Sequence, residues 1–201
     1  EDVRALKVMG IRGMVEDGSQ RSAWPNAFAT YIYAATLMDR EVDFDAVAED
    51  YFSHAYGKDW KQAYGIYLET IYREMVWMKD FDIVGHFDYV ARYSPYPQDG
   101  MPYRNFSDIF DAIFRYLIEN GKALEINTKS CKGTRGRKTS LDNNVLLRYR
   151  EMGGEIITLG SDSHNPESVA EGFEEAAALI RSLGFRWNAH YENRQLIQTA
   201  L

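Results

Sequence analysis

The chain has 201 residues, 23 Lys and Arg against 30 Asp and Glu, and a formal net charge of −7. Hydrophobic residues make up 45% and charged residues 26%, ordinary globular usage that excludes collagen-like and disordered classes. No apolar run reaches the ~18 residues of a membrane span, and a negative chain repels nucleic-acid phosphate, so neither membrane nor nucleic acid is expected as a partner. The single cysteine, Cys131, rules out an intramolecular disulfide and a Cys-based zinc cage, and favours a cytoplasmic location. The sequence begins at Glu1 with neither an initiator Met nor a signal-peptide pattern, which reads as a fragment or a fusion.

Residues 1–58 read as a mainly helical segment. Gly10, Gly13 and Gly18 break a short apolar piece, Val8 to Val15, that suits a strand. Trp24-Pro25-Asn26 opens a helical run from Ala27 to Met38. After Asp39-Arg40, the residues Val42, Phe44, Val47, Ala48, Tyr51 and Phe52 recur at helical spacing.

From Asp59 onward, strands alternate with helices. Ala63, Ile66, Tyr67, Thr70, Ile71, Met75 and Met78 mark an amphipathic helix ending near Lys79. Phe81 to Phe87 reads as a buried strand, and Pro95, Pro97, Gly100 and Pro102 mark a loop. A helix follows from Asn105 to Asn120, with Gly121 just past its end. Ala123 to Thr128 is a second strand, Ser140 to Met152 a helix closed by Gly153-Gly154, and Glu155 to Gly160 a third strand. Pro166 starts a helix running to Leu183, stopped by Gly184, and Phe185 to Tyr191 forms a last strand. This order predicts the α/β class, with a parallel sheet and about half of a β/α barrel over residues 59–201.

In such a fold, functional side chains gather where strands end. The strand ends here carry His86 and Asp88, Glu125 and Asn127, and Asp162 and His164. Each pair is spaced i, i+2, which points both side chains to one side while the chain stays extended. Asp162-x-His164 offers a carboxylate and an imidazole that suit zinc, manganese or iron; the same Ser-Asp-Ser-His-Asn-Pro stretch also suits a plain turn. His86 reads either as a further ligand or as a core histidine, with Asp88 then a turn residue. Glu125, inside an apolar run, needs a basic partner or a metal. Lys129, Lys132, Arg135, Arg137 and Lys138 form a basic cluster around Gly133 and Gly136. That cluster either draws a phosphorylated substrate or is a solvated loop. Arg92 is a further phosphate-ligand candidate.

The stretch from about Lys61 to Arg194 resembles the C-terminal part of histidinol-phosphatases of the polymerase-and-histidinol-phosphatase (PHP) superfamily. The resemblance rests on Ala63-Tyr64, Tyr67-Leu68-Glu69, the run Phe81 to Tyr93 (FDIVGHFDYVARY), Leu124-Glu125-Ile126-Asn127-Thr128, and Gly153 to His164 (GGEIITLGSDSH). It implies a seven-stranded β/α barrel with a multinuclear divalent-metal centre. The activity implied is hydrolysis of phosphate monoesters such as L-histidinol phosphate, in histidine biosynthesis, by metal-activated water. By position it makes His86, Asp162 and His164 metal ligands and gives Asp162 the catalytic role of bridging ions or orienting water. Arg92 and the basic loop, with Arg135 and Arg137, match regions that face the substrate. Beside that resemblance, Asn127 is a further candidate to contact the phosphate, and Asp88 and Glu125 are candidates to support the ligands from behind.

The family's N-terminal H-x-H pair has no counterpart in residues 1–60, where His54 is the only histidine. The expected centre is therefore an incomplete one. Residues 1–57 faintly resemble the helical end of an uncharacterised bacterial domain found beside carbohydrate-active modules, through Gly10-Ile11-Arg12-Gly13, Tyr51-Phe52 and Tyr56-Gly57. Two readings follow. One is an incomplete metal-dependent phosphoesterase acting on a phosphorylated small molecule. The other is a non-catalytic β/α binding or structural module. A half-barrel exposes sheet edges, so a homodimer, or a missing N-terminal half supplied in trans, is expected in both.

Overall fold

The computed structural model describes residue 8, residues 28–96, 100–132 and 141–201. The chain divides into two compact units: Glu1–Ala63 with Tyr93–Pro95, and Tyr64–Arg92 with Tyr96–Leu201. No described helix is long and apolar enough to cross a membrane.

In the first unit, α1 (Phe28–Met38) and α2 (Phe44–Tyr56) form a helical pair. Asp43 caps α2, its side chain accepting the Ala46 N–H at 2.8 Å, which satisfies a donor the helix start leaves unpaired. The aromatics of the helical pattern meet. The Phe28 ring lies 5.2 Å from Tyr51 and from Phe52, and Phe52 stacks on Tyr56 at 5.6 Å, within the range where aromatic pairs attract. Val8 is helical, contrary to the strand expected there, and the rest of Val8–Val15 and Trp24-Pro25-Asn26 lie outside the described residues.

The second unit takes in most of α3 (Trp60–Met78), then β1 (Ile83–Val84), α4 (Tyr89–Tyr93), a 3-10 turn (Tyr103–Asn105), α5 (Ser107–Glu119) and β2 (Ala123–Asn127). It continues through α6 (Thr128–Lys132), α7 (Asn143–Glu151), β3 (Ile157–Gly160), a second 3-10 turn (Pro166–Ser168), α8 (Phe173–Ser182), β4 (Trp187–Glu192) and β5 (Gln195–Ala200). Strands β1, β2 and β3 form a parallel sheet in sequence order, with Val84 beside Leu124, Glu125 beside Thr158 and Asn127 beside Gly160. The predicted α/β class and parallel pairing are therefore present. Gly121 ends α5 as expected: at φ +61 it turns the chain so that Lys122 N–H reaches the Leu117 carbonyl at 2.8 Å.

The core of this unit is aromatic. Phe87, after β1, meets Phe110 edge-on at 6.1 Å, and Phe110 stacks on Phe114 at 5.7 Å. Phe114 then meets Tyr149 at 5.3 Å, and Tyr149 stacks on Phe185 at 6.3 Å. One face of α5 thus links the end of β1 to α7. Leu117, Leu124, Leu146, Ile157 and Ile180 complete the buried set.

In this unit the structure departs from the expected elements at three places. The strand Phe81–Phe87 shrinks to Ile83–Val84, because His86 has φ +25 and its carbonyl accepts Tyr89 N–H at 2.9 Å, closing a turn into α4. The helix from Pro166 is interrupted: only a 3-10 turn forms there, and positive φ at Ala170 and Gly172 delays α8 to Phe173. The last strand does not extend the alternation. It pairs antiparallel with β5, unread in the sequence, through a two-residue turn of Asn193 and Arg194, both at positive φ.

Candidate functional site

The C-terminal ends of the three parallel strands carry much of the predicted set. Glu125 and Asn127 do alternate onto one face of β2, and their register partners Thr158 and Gly160 share that face. The Glu125 carboxylate reaches sideways to the end of β1. Its Oε2 accepts the His86 backbone N–H at 2.6 Å and lies 3.5 Å from His86 Nδ1. Burial pushes this carboxyl up, but the side-chain and backbone hydrogen bonds from His86 outweigh it and hold Glu125 below its ordinary value. Asp162 opposes that lowering through its own negative charge, which places the two carboxylates within electrostatic reach of each other.

Beyond β3, Asp162 stands at φ +48. Non-glycine residues in this region carry a backbone cost, and such positions concentrate at functional sites. The turned Asp162 carbonyl accepts from Lys129 Nζ at 2.5 Å and faces His164 Nδ1 at 2.8 Å. A carbonyl only accepts, so this contact places a proton on His164 Nδ1 and leaves Nε2 as the nitrogen that can meet a metal.

At two of the three strand ends the i, i+2 residues do not share a face, because His86 and Asp162 leave the extended conformation. Asp88 falls in the turn before α4, 2% exposed, and accepts from the Ser130 hydroxyl at 3.0 Å. It supports the strand ends from within rather than sharing a face with His86. Asn127 is also buried, its Oδ1 accepting Lys129 N–H at 3.0 Å at the start of α6. Lys129 itself lies in that short helix and not in a loop. The side chain of Arg92, and Arg135, Arg137, Lys138, Gly133 and Gly136 entirely, lie outside the described residues. Sequence reasoning missed Thr158, whose buried hydroxyl has no hydrogen-bond partner among the described residues. Its only signal was alternation with Gly160 along β3.

Imidazoles and carboxylates at one sheet end are a donor set suited to a divalent transition metal. The unpartnered Thr158 hydroxyl on the Glu125 face also leaves a buried polar group able to meet a further atom. A metal therefore fits this face in donor chemistry. Among the described residues, however, no group of three or more His, Cys, Asp or Glu side chains converges as a ready cage.

No family model matches the chain. Curated relatives do. A histidinol-phosphatase of Lactococcus lactis is 32% identical over 118 residues, covering 59% of this chain and 43% of that protein. A probable histidinol-phosphatase of Clostridium acetobutylicum is 27% identical over 129 residues, covering 63% and 49%. A crystal structure of histidinol phosphate phosphatase from L. lactis, complexed with zinc, L-histidinol and phosphate, matches with a TM-score of 0.59 at 28% identity.

The chain is similar in sequence and fold to part of histidinol-phosphatases.

The structural match covers 71% of this chain and 54% of the L. lactis chain. A probable histidinol-phosphatase of Thermotoga maritima, 26% identical, is matched more widely, over 92% of this chain and 69% of that protein. Against the first two relatives, the chain spans about half their length or less.

Proposed function

We propose that this chain carries part of the active site of a histidinol-phosphatase-like, metal-dependent phosphoesterase, within part of a PHP-type β/α barrel. The observation that carries the reading is the placement of His86, Glu125, Asp162 and His164 at or just past the ends of three consecutive parallel strands, with Glu125 against His86 and His164 against the Asp162 carbonyl. Support comes from relatives named for this activity and from a related structure that contains zinc, L-histidinol and phosphate.

In this reading His86, Asp162 and His164 hold a divalent ion, zinc, manganese or iron. Such an ion, when bound, lowers the pKa of a coordinated water and neutralises charge on phosphoryl oxygens. The chain's own groups do the rest. Asp162 orients the attacking water, and Arg92, Arg135, Arg137 and Asn127 receive the phosphate of a small phosphorylated substrate, with L-histidinol phosphate the first candidate. The set is a partial one, holding fewer ions than a multinuclear centre, and a second copy or a separate chain covers the sheet edge at β1.

The test is metal analysis of the purified chain, together with histidinol phosphate and p-nitrophenyl phosphate hydrolysis in added zinc or manganese. The expected result is bound metal that His164→Ala releases, with turnover suppressed by a chelator. Absence of both metal and turnover would overturn the reading.

A further inference from the structure

We infer that Glu125 is a positioning residue that fixes the ring and the tautomer of His86, in a slot left open by the glycine at 160. One oxygen, Oε2, holds both the backbone N–H of His86 at 2.6 Å and the ring at 3.5 Å from Nδ1. The other, Oε1, occupies the space a side chain at position 160 would need: a Cβ there would stand 2.0 Å from it. Near β1, a Cβ at position 85 would lie 3.5 Å from Oε2, an ordinary contact, so the space at position 160 is the one that matters. The carboxylate thus lies between the ends of β1 and β3, and Gly160 is required for it to do so.

His86 needs such an anchor. Its ring is 46% exposed and its backbone stands at φ +25, a conformation that persists only when neighbours hold it. A carboxylate only accepts, so the neutral ring facing it carries its proton on Nδ1 and its electron pair on Nε2. Histidine in water prefers the reverse. His164 reaches the same tautomer through the Asp162 carbonyl, so both imidazoles of the site present Nε2. The consequence for metal binding rests on the function proposed above; the tautomer does not.

The experiment uses the full chain, metal-free and labelled with 15N-histidine, at about pH 8, above the ordinary histidine range near 6.5. The His86 signals are assigned by their loss in His86→Gln. The wild type is expected to show Nδ1–H at His86. Glu125→Ala is expected to convert it mainly to Nε2–H, while Glu125→Gln, which keeps a carbonyl acceptor, retains Nδ1–H. Gly160→Ala, which pushes the carboxylate aside, should behave like Glu125→Ala and keeps the test open where the latter fails to fold. In parallel, zinc affinity should fall roughly 10- to 100-fold in Glu125→Ala, as when an outer partner of a ligating histidine is lost. Nε2–H in the wild type, or an unmoved tautomer in natively folded Glu125→Ala or Gly160→Ala, overturns the inference. The expected tautomers in a wild type that binds no metal overturn the phosphoesterase reading and leave this one standing.

Discussion

Ser130 and Asp88, 42 residues apart in sequence, are each 2% exposed, and the serine hydroxyl donates to the aspartate carboxylate at 3.0 Å. The contact ties the turn after β1 to the helix after β2, directly behind the strand ends that carry the site. Burying a carboxylate costs free energy unless donors replace its water. Ser130→Ala removes one such donor and should destabilise the chain by ~1–3 kcal/mol, read as a lower urea midpoint at unchanged slope. An unchanged midpoint would show that the contact contributes nothing net.

The acid limb of stability should depend on Asp111. Arg148 grips its carboxylate with two bonds, Nε to Oδ1 at 3.0 Å and Nη2 to Oδ2 at 2.6 Å, and Tyr103 donates to Oδ1 at 2.9 Å. The Arg148 bonds hold the Asp111 carboxyl below its ordinary value of 3.8, against the opposing effect of burial. A carboxyl lowered in the folded state stabilises above its unfolded pKa, and that contribution disappears as pH falls through the folded pKa. The melting temperature of Asp111→Asn should therefore lie below wild type near neutrality, begin to approach it as pH falls below about 4, and meet it only below the lowered folded-state pKa. Arg194, gripping Asp80 and Asp82, lowers two further carboxyls. Both proteins keep those, so they cancel in the comparison.

Lys129 organises the His164 loop through the Asp162 carbonyl. Lys129→Met keeps the length of the side chain and removes the donor, leaving His164 as that carbonyl's remaining contact of the two. Under the proposed function, zinc affinity measured by competition with a chelating dye should fall about tenfold, with the far-UV spectrum unchanged. An affinity equal to wild type would limit Lys129 to a packing role.

Periodicity located most of the helices, because an amphipathic stripe records which face is buried whatever the burying partner is. Val47, Ala48, Tyr51 and Phe52 of α2 are buried as their spacing demands. Gly121, Gly153 and Gly184 all take the positive φ expected just past a helix. The strands were legible in existence but not in extent. A two-residue β1 and the β4–β5 hairpin depend on where pairing partners run out, which no local pattern records.

The sequence by itself determined the α/β class, the chemical types at the strand ends and the resemblance to histidinol-phosphatases, since each of these follows from residue identity and local spacing. Tertiary structure decided which of those residues meet. Spacing put Asp88 beside His86; the turn at His86 buries it against Ser130 instead. Residue identity left Glu125 to find a basic partner or a metal, and β1–β2–β3 pairing set it against His86 across 39 residues. A buried carboxylate takes whatever donor the fold brings within about 3 Å, and only the assembled sheet fixes which donor that is.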